Sequence, residues 1–402
     1  MKATIRVLPL LCAAAFSAQA HDHERPPGDS FVVARTPPFP EGVAVHGHKA
    51  YVSSQATFND AGAGPSTVTV VDLRSGATRT IFIQGEYLAA PHGASGEAFD
   101  AEGNLYVIVT QLGIVKIAEE DAAQTIYSPA LPTLPPCSTA PAPCRPTFPG
   151  PPALANDIAF DEEGYLYVTD SFQATLWRIP PGGGAAQIWF QDARLGGAFG
   201  PNGLRFDKHS HHVYFNVTSD HTGAGIVYTL PAVPQPQAAD LQVFHTYAGE
   251  GPDDLAFGRS GRLYVSLAFA NAISVLDESG AEIARYGGTT ASGVPVDGPA
   301  NMAFDDSTRS LVFANHAPVS GNPNDFALDE PTPSALALLA ARVGLTPAET
   351  RTLSVLALGE SNRQIARRLG VSIETVRTHV RRVLAKLSVR SRAEAARLAR
   401  AE

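Results

Sequence analysis

Six stretches of the chain alternate apolar and polar residues around a tight turn. They are GVAVHGHKAYV, EAFDAEGNLYVIV, DIAFDEEGYLYVTD, GLRFDKHSHHVYFNV, DLAFGRSGRLYVSL and NMAFDDSTRSLVFAN. Each reads as strand, polar turn, strand, because alternation with period two turns one face of a strand inward. The equivalent positions Tyr51, Tyr106, Tyr167, Tyr214, Tyr264 and Val312 are 55, 61, 47, 50 and 48 residues apart. A strand repeat at this period predicts a β-propeller: one sheet cannot bury both faces alone, whereas neighbours around a ring can. Six repeats predict six blades over residues 28–328, with the repeated aromatics packing between blades. The proline-rich run Pro129–Pro152 reads as an insertion rather than regular structure. In the sixth repeat a third strand is expected to start near Phe326–Leu328. The fourth is expected from the N-terminal SFVVARTPP, which closes the ring. After Leu328 the composition changes to DEPTPSALALLAARVG, so the closing strand reads as clipped and residues 329–340 as a linker.

The period then changes from two to 3.6. Thr346-Pro347-Ala348-Glu349 is a capping box with proline at the first helical position, and Gly359 ends that helix. Ser361 with Gln364 opens a second helix that Gly370 breaks, and Ser372 caps a third. In the third, Val376, Val380, Val383 and Leu387 line one face, while Glu374, Arg377, Thr378 and Arg381 lie on the other. A buried stripe under an Arg-bearing face is what a helix needs to sit in a DNA major groove. A last helix is expected over Arg392–Ala401. The fold class is therefore multidomain: an all-β six-bladed propeller followed by a small all-α helix-turn-helix domain over residues 341–402.

Charge divides the chain at the same place. Of the 402 residues, Pro331–Glu402 carries 13 Lys/Arg against 5 Asp/Glu, leaving 17 against 34 elsewhere. A basic module joined to an acidic one suggests different partners, the basic one facing an anion such as nucleic acid. The N-terminus complicates this. Lys2 and Arg6 precede an apolar run from Val7 to Phe16 and then Ala18-Gln19-Ala20, the three parts of a secretory signal over residues 1–20. In an exported chain, Cys137 and Cys144 are placed to close a small disulfide loop, two free thiols being the alternative. Cleavage after Ala20 would expose His21-Asp22-His23, which reads as a solvated tail more readily than as a copper or nickel site. His209, His211 and His212 fall on the turn of the fourth repeat and read as turn residues.

Aligning the six repeats places Glu41, Ser95, Asn156, Asn202, Asp253 and Ala300 just before each inner strand, where they converge on the channel. Glu, Asn and Asp offer hard oxygen ligands suited to a divalent metal of the calcium or magnesium class. They also cap turns. PEGVAV, ANDIAFDEEGYLYVTDS, GPNGLRFD and GPDDLAFGRSGRLYVS make residues 30–328 resemble the senescence-marker-protein/gluconolactonase family of six-bladed propellers. The resemblance implies one divalent metal held by Glu41, Asn202 and Asp253. It also implies Asn156 as a substrate- or water-binding residue, Asp253 as general base, and hydrolysis of a lactone or related ester. The family often has Gly where Asp254 follows Asp253 here.

LTPAE, SNRQIARRL, VSIETVRTHVRRVLAKL and VRSRAEA resemble the LuxR-type helix-turn-helix family. That resemblance implies double-stranded DNA as partner. Arg377, Thr378 and Arg381 are expected at bases or nearby phosphates, Arg382 and Lys386 at backbone phosphates, and the last helix pairs a homodimer. Signal and helix-turn-helix conflict on location, since the first implies export and the second the cytoplasm. Three accounts follow: a regulator whose propeller senses a ligand, an exported propeller with a helical passenger, or two genes run together.

Overall fold

A computed structural model describes residues 27–37, 39–54, 64–73, 76–134, 153–258, 261–287, 296–305, 310–316, 327–333, 343, 345–357, 359–369 and 371–401. The expected signal, Cys137, Cys144 and His21–His23 lie outside these residues. Twenty-four strands form six four-stranded sheets among the described residues. Five are simple meanders in chain order: β2–β5 (from Pro40 to Phe82), β6–β9 (Ala94 to Ser128), β10–β13 (Ala155 to Gln191), β14–β17 (Gly197 to Tyr247) and β18–β21 (Pro252 to Gly287). The sixth is β22 (Pro299–Asp305), β23 (Ser310–Asn315), β24 (Ala327–Pro333) and then the N-terminal β1 (Pro27–Arg35). The first strand of each sheet lies against the first strand of the next, and β22 returns to β2. The six sheets therefore close a ring, with first and last strands paired antiparallel.

The closing strand is longer than its composition suggests. Pairing with β1 continues past Leu328 through Asp329, Pro331 and Pro333. β23 pairs with β24 only as far as Asp329. The two prolines thus sit where the strand has a neighbour on one side, the position at which a missing N–H is tolerated. The third strand extends into the segment read from sequence as linker.

The repeated aromatics interlock between blades. Tyr51 meets Phe99 edge-on at 4.9 Å, Tyr106 meets Phe160 at 4.9 Å, Tyr214 meets Phe257 at 5.0 Å and Tyr264 meets Phe304 at 4.9 Å. In each pair the Tyr of one blade contacts the Phe of the following one. Edge-to-face packing adds to the apolar area each ring buries.

Every inner hairpin slips register at the same point. The unpaired residues are 41–42, 95–96, 156–157, 202–203, 253–254 and 300–301. A bulge bends its strand and re-aims side chains, and six equivalent bulges aim theirs at one axis. Space there is limited. A Cβ on Gly96 or Gly203 would come within 2.5 Å of the next blade's Asp157 or Asp254 backbone, and one on Gly42 within 2.5 Å of Ser95 O. Three of the six second-bulge positions are accordingly Gly, and only Asp157, Asp254 and Asn301 carry side chains.

The helical part holds α1 (Pro347–Ala357), α2 (Asn362–Arg368), α3 (Ile373–Lys386) and α4 (Arg392–Ala401). Its caps are those read from sequence. Thr346 N–H donates to Glu349 Oε2 at 2.9 Å, Ser361 and Gln364 form a reciprocal box, and Ser372 accepts from Thr375 N–H. Gly359 takes φ +86° between α1 and α2, a value L side chains avoid. Val376, Val383 and Ile365 are fully buried with Leu353 and Ala395, and α4 packs across α1. No helix among the described residues is long and apolar enough to cross a membrane.

Candidate functional site

The expected ligand residues converge at one end of the ring. Glu41, Asn156 and Asn202 are buried and Asp253 is half-buried. In the third and fourth blades the two amides are oriented by hydroxyls at equivalent places on or directly after the second strand, Ser171 and Thr218. Ser171 Oγ donates to Pro201 O of the next blade at 2.7 Å, and accepts from Asn156 Nδ2 at 3.1 Å. Thr218 Oγ1 repeats the arrangement: it donates to Pro252 O at 2.9 Å and accepts from Asn202 Nδ2 at 3.0 Å. A hydroxyl has one hydrogen. Since it goes to the proline carbonyl, the amide must present its nitrogen, and the orientation of both amides is fixed. Asn156 Oδ1 and Asn202 Oδ1 are then left buried with no hydrogen-bond partner among the described residues. An unpaired buried carbonyl oxygen is costly, on the order of 1–3 kcal/mol.

Two carboxylates share this mouth. Asn202 Nδ2 also donates to Asp253 Oδ1. Burial and the nearby Glu41 carboxylate push the Asp253 carboxyl well above its usual range, against the opposing pull of His316. His316, which sequence reasoning did not single out, pairs its Nδ1 with Glu41 Oε2. Burial lowers the imidazole pKa, but Glu41 and Asp253 raise it more, so the net shift is upward. His316 occupies the same place in its blade as Ser171 and Thr218 in theirs. Its own blade has Ala300 where theirs have Asn, so it has no amide to hold and reaches Glu41 of the next blade. That equivalence was the available signal: an ionisable residue at a position where three other repeats have the hydroxyls of Thr110, Ser171 and Thr218.

Among the described residues no three His, Cys, Asp or Glu side chains converge in a way that could hold a metal. A cation here would rest on the two carboxylates plus the orphaned Asn202 oxygen, an all-oxygen set of the kind hard cations take, with the Asn156 oxygen left for substrate or water. Ser95 lends its backbone carbonyl to Ser53 at 2.6 Å.

Below the mouth the axis is plugged by charge. Arg205 donates from Nη1 to Asp157 Oδ2 at 2.5 Å and from Nη2 to Asp254 Oδ2 at 2.7 Å. Asn301 Nδ2 donates to Asp157 Oδ1 at 3.1 Å, and Met302 N–H to Asp254 Oδ2 at 2.7 Å. Asp254 thus has a partner-holding role of its own. Near Asp157, burial pushes the Glu97 carboxyl up to about 8, against the pull of the Ala44 N–H from which it accepts. At the other end of the ring a cleft of about 900 Å³ is lined by Phe160, Phe206, Phe257 and the turn after Asp207. His209 N–H donates to Asp207 within that turn.

On the helical part, Arg377, Arg381 and Arg382 are exposed and Thr378 half-buried along α3. Arg377 pairs with Glu374 at 3.0 Å. Lys386 lies apart from them in role: its Nζ is 2.6 Å from Glu349 Oε2, the carboxylate that closes the α1 cap. Arg392 donates to Asn362 and to Glu360 O at 2.6 Å, pinning the start of α4 to α2. Arg368 is buried against Glu360 at 3.0 Å.

Residues 343–399 match the family described as bacterial regulatory proteins, luxR family. Over 52 residues the chain is 46% identical to the nitrate/nitrite response regulator protein NarL of Escherichia coli K12, covering 13% of this chain and 24% of that protein. The chain thus spans about a quarter of its curated relative's length. The propeller is similar to a calcium-binding protein, regucalcin, from Agrobacterium tumefaciens strain C58: 16% identical, TM-score 0.52, covering 76% of this chain and 94% of that one. It is also similar to a protein of unknown function from Bacteroides thetaiotaomicron (11%, TM-score 0.52, 75% of each chain). At these identities the likeness is one of fold. The chain therefore carries a six-bladed propeller followed by a helical domain that matches the luxR family of bacterial regulatory proteins.

Proposed function

We propose that the chain is a DNA-binding transcriptional regulator of LuxR type, acting through α3 on double-stranded DNA, with its propeller as a ligand- or metal-binding module. The observation that carries this is the two-faced α3: Val376, Val380 and Val383 buried beneath, Arg377, Arg381 and Arg382 exposed above. A homodimer through α4 belongs to the same reading. The test is selection of the full chain on a randomised duplex pool, followed by binding across salt. An enriched sequence is expected, and Arg377→Ala with Arg381→Ala should lower the salt slope by about 2. An unchanged affinity and slope in the double variant would sink the reading.

For the propeller, the orphaned amide oxygens support a divalent cation of the calcium or magnesium class. Glu41, Asn202 and Asp253 would hold it, with Asn156 aimed at substrate or water. When bound, such a cation polarises a carbonyl and sharpens a water nucleophile. The Asp253 carboxylate has one oxygen on Asn202 and one left to take a proton from attacking water, which makes lactone or ester hydrolysis the matching chemistry. Calorimetric titration of the full chain with calcium and with magnesium tests this. Binding lost in Asn202→Leu and Asp253→Asn supports it, and no heat with either metal refutes it.

A further inference from the structure

The polar mouth is flanked by phenyl rings. Register places them at its end of the ring: Phe172 follows Asp170, which pairs with Ala155, and Phe269 follows Leu267, which pairs with Pro252. Phe172 comes directly after Ser171, the hydroxyl that holds Asn156. Phe199 precedes Asn202 on β14 and meets Phe172 edge-on at 5.7 Å, with Gly200 N–H bonded to Ser171 O between them at 2.9 Å. Phe269 is 66% exposed. Its ring rests on Gly251, two residues before Asp253, where a Cβ would lie 2.5 Å from it. Gly251 thus leaves the seat for the ring and takes φ +61°. On the far side Phe39, two residues before Glu41, takes φ +50° with its ring 5.8 Å from His316. A bulky residue in that region is strained, and such strain collects at binding sites.

Blades three, four and five therefore each supply one mouth residue and one phenyl ring beside it: Asn156 with Phe172, Asn202 with Phe199, Asp253 with Phe269. An aliphatic or aryl group gains from being buried against such a sector in proportion to the apolar area it removes from water. Phe269, seated on Gly251 two residues before Asp253 and 66% exposed, leaves an apolar face open at this end of the ring.

We propose that the propeller's ligand is amphipathic, a lactone or ester whose aliphatic or aryl body lies on Phe172, Phe199 and Phe269 while its carbonyl end enters the Glu41–Asn202–Asp253 mouth. This rests on the reading of that mouth as the polar, cation-holding end of the site. The rings set the substrate class, and the oxygens set the end that reacts.

The test uses the full chain with calcium and two probes, γ-butyrolactone and γ-dodecalactone, which share a ring and differ in their alkyl tail. Binding is followed by saturation-transfer NMR, with affinities from titration. The long lactone is expected to bind at least about tenfold more tightly, through the methylenes it buries. Phe199→Ala and Phe269→Ala are each expected to reduce that preference severalfold, weakening γ-dodecalactone more than γ-butyrolactone. Because Phe269 is exposed, its variant keeps the fold testable if Phe199→Ala does not fold. Equal binding of the two lactones, binding of neither, or a preference intact in Phe269→Ala overturns the proposal. A retained preference in a protein that takes up no calcium overturns the cation reading alone.

Discussion

Arg205 bridges Asp157 of the third blade and Asp254 of the fifth, 2.5 Å from one and 2.7 Å from the other, on the axis of the ring. Desolvation opposes the Arg205 charge, yet the two carboxylates raise its pKa on balance. Burial pushes the Asp254 carboxyl up, against the pull of Arg205. Removing Arg205 leaves two carboxylates facing each other without a cation. Arg205→Leu is expected to destabilise the propeller by roughly 3–5 kcal/mol, the cost of breaking a buried pair from one side. Asp254→Asn, which keeps an acceptor for Arg205 and Met302, should cost less than half as much. Chemical denaturation of the three proteins measures both, and an Arg205→Leu protein as stable as wild type would contradict the account.

His92 gives the propeller a pH dependence of known sign. The ring is fully buried, and both nitrogens face carbonyls: Nδ1 to Ala90 O at 2.8 Å and Nε2 to Gly64 O at 2.7 Å. Carbonyls only accept, so the protonated ring, with both nitrogens donating, is the form this setting favours. Burial lowers its pKa, but the two carbonyls and Glu86 raise it more. A folded value above the unfolded one, about 6.5, stabilises the protein fully below that pH and less as pH rises through the folded value. Above it one carbonyl is left without a donor, at about 1 kcal/mol. Wild type should therefore lose thermal stability between pH 5.5 and 8.5 relative to His92→Gln, whose own melting temperature should move less. Parallel shifts in the two proteins would rule His92 out as the cause.

What the sequence made legible was what repeats locally. Strand alternation around Tyr106 or Tyr167 and the caps at Thr346, Ser361 and Ser372 involve residues a few positions apart, and all stand in the structure. What it hid were contacts made around the ring. Arg205 reaches Met302, 97 residues on, and Asn301 reaches Asp157, 144 residues back. No periodicity reports such pairs. Asp254 stood out only as a departure from a family pattern. Its reason is an arginine in another blade. His316 was invisible because its partner, Glu41, belongs to the opposite end of the chain. Prolines at 331 and 333 hid a strand that is paired on one side there.

Lys386 and Arg382 separate on α3 although both were expected at phosphates. Lys386 is held by Glu349, which is 2% exposed at its side chain and also bonded to Thr346 N–H. Its loss leaves a buried carboxylate without its counter-charge, held by the Thr346 N–H. Lys386→Ala should therefore lower the stability of the helical domain with little change in the salt slope of DNA binding. Arg382→Ala should do the reverse, lowering the slope by about 1. Melting curves and salt titrations of the two variants read the two effects separately. A slope lowered equally by both would return Lys386 to the phosphate contacts.

Thr218 tests the amide lock without touching a candidate ligand atom. Its hydroxyl gives its hydrogen to Pro252 O and receives Asn202 Nδ2, so Asn202 Oδ1 is turned away from it. Thr218→Val keeps the shape of the side chain and removes both bonds. The Asn202 amide is then free to rotate and to keep only its contact with Asp253. Groups that orient ligands typically matter by 10–100-fold in metal affinity. Calcium affinity in Thr218→Val is expected to fall by about tenfold or more, with the secondary structure unchanged by circular dichroism. Ser171→Ala, which releases Asn156 in the same way, should weaken calcium less, because Asn156 is placed for substrate or water and not among the three ligands. If Ser171→Ala lowers calcium affinity as much as Thr218→Val, Asn156 belongs in the ligand set beside Glu41, Asn202 and Asp253.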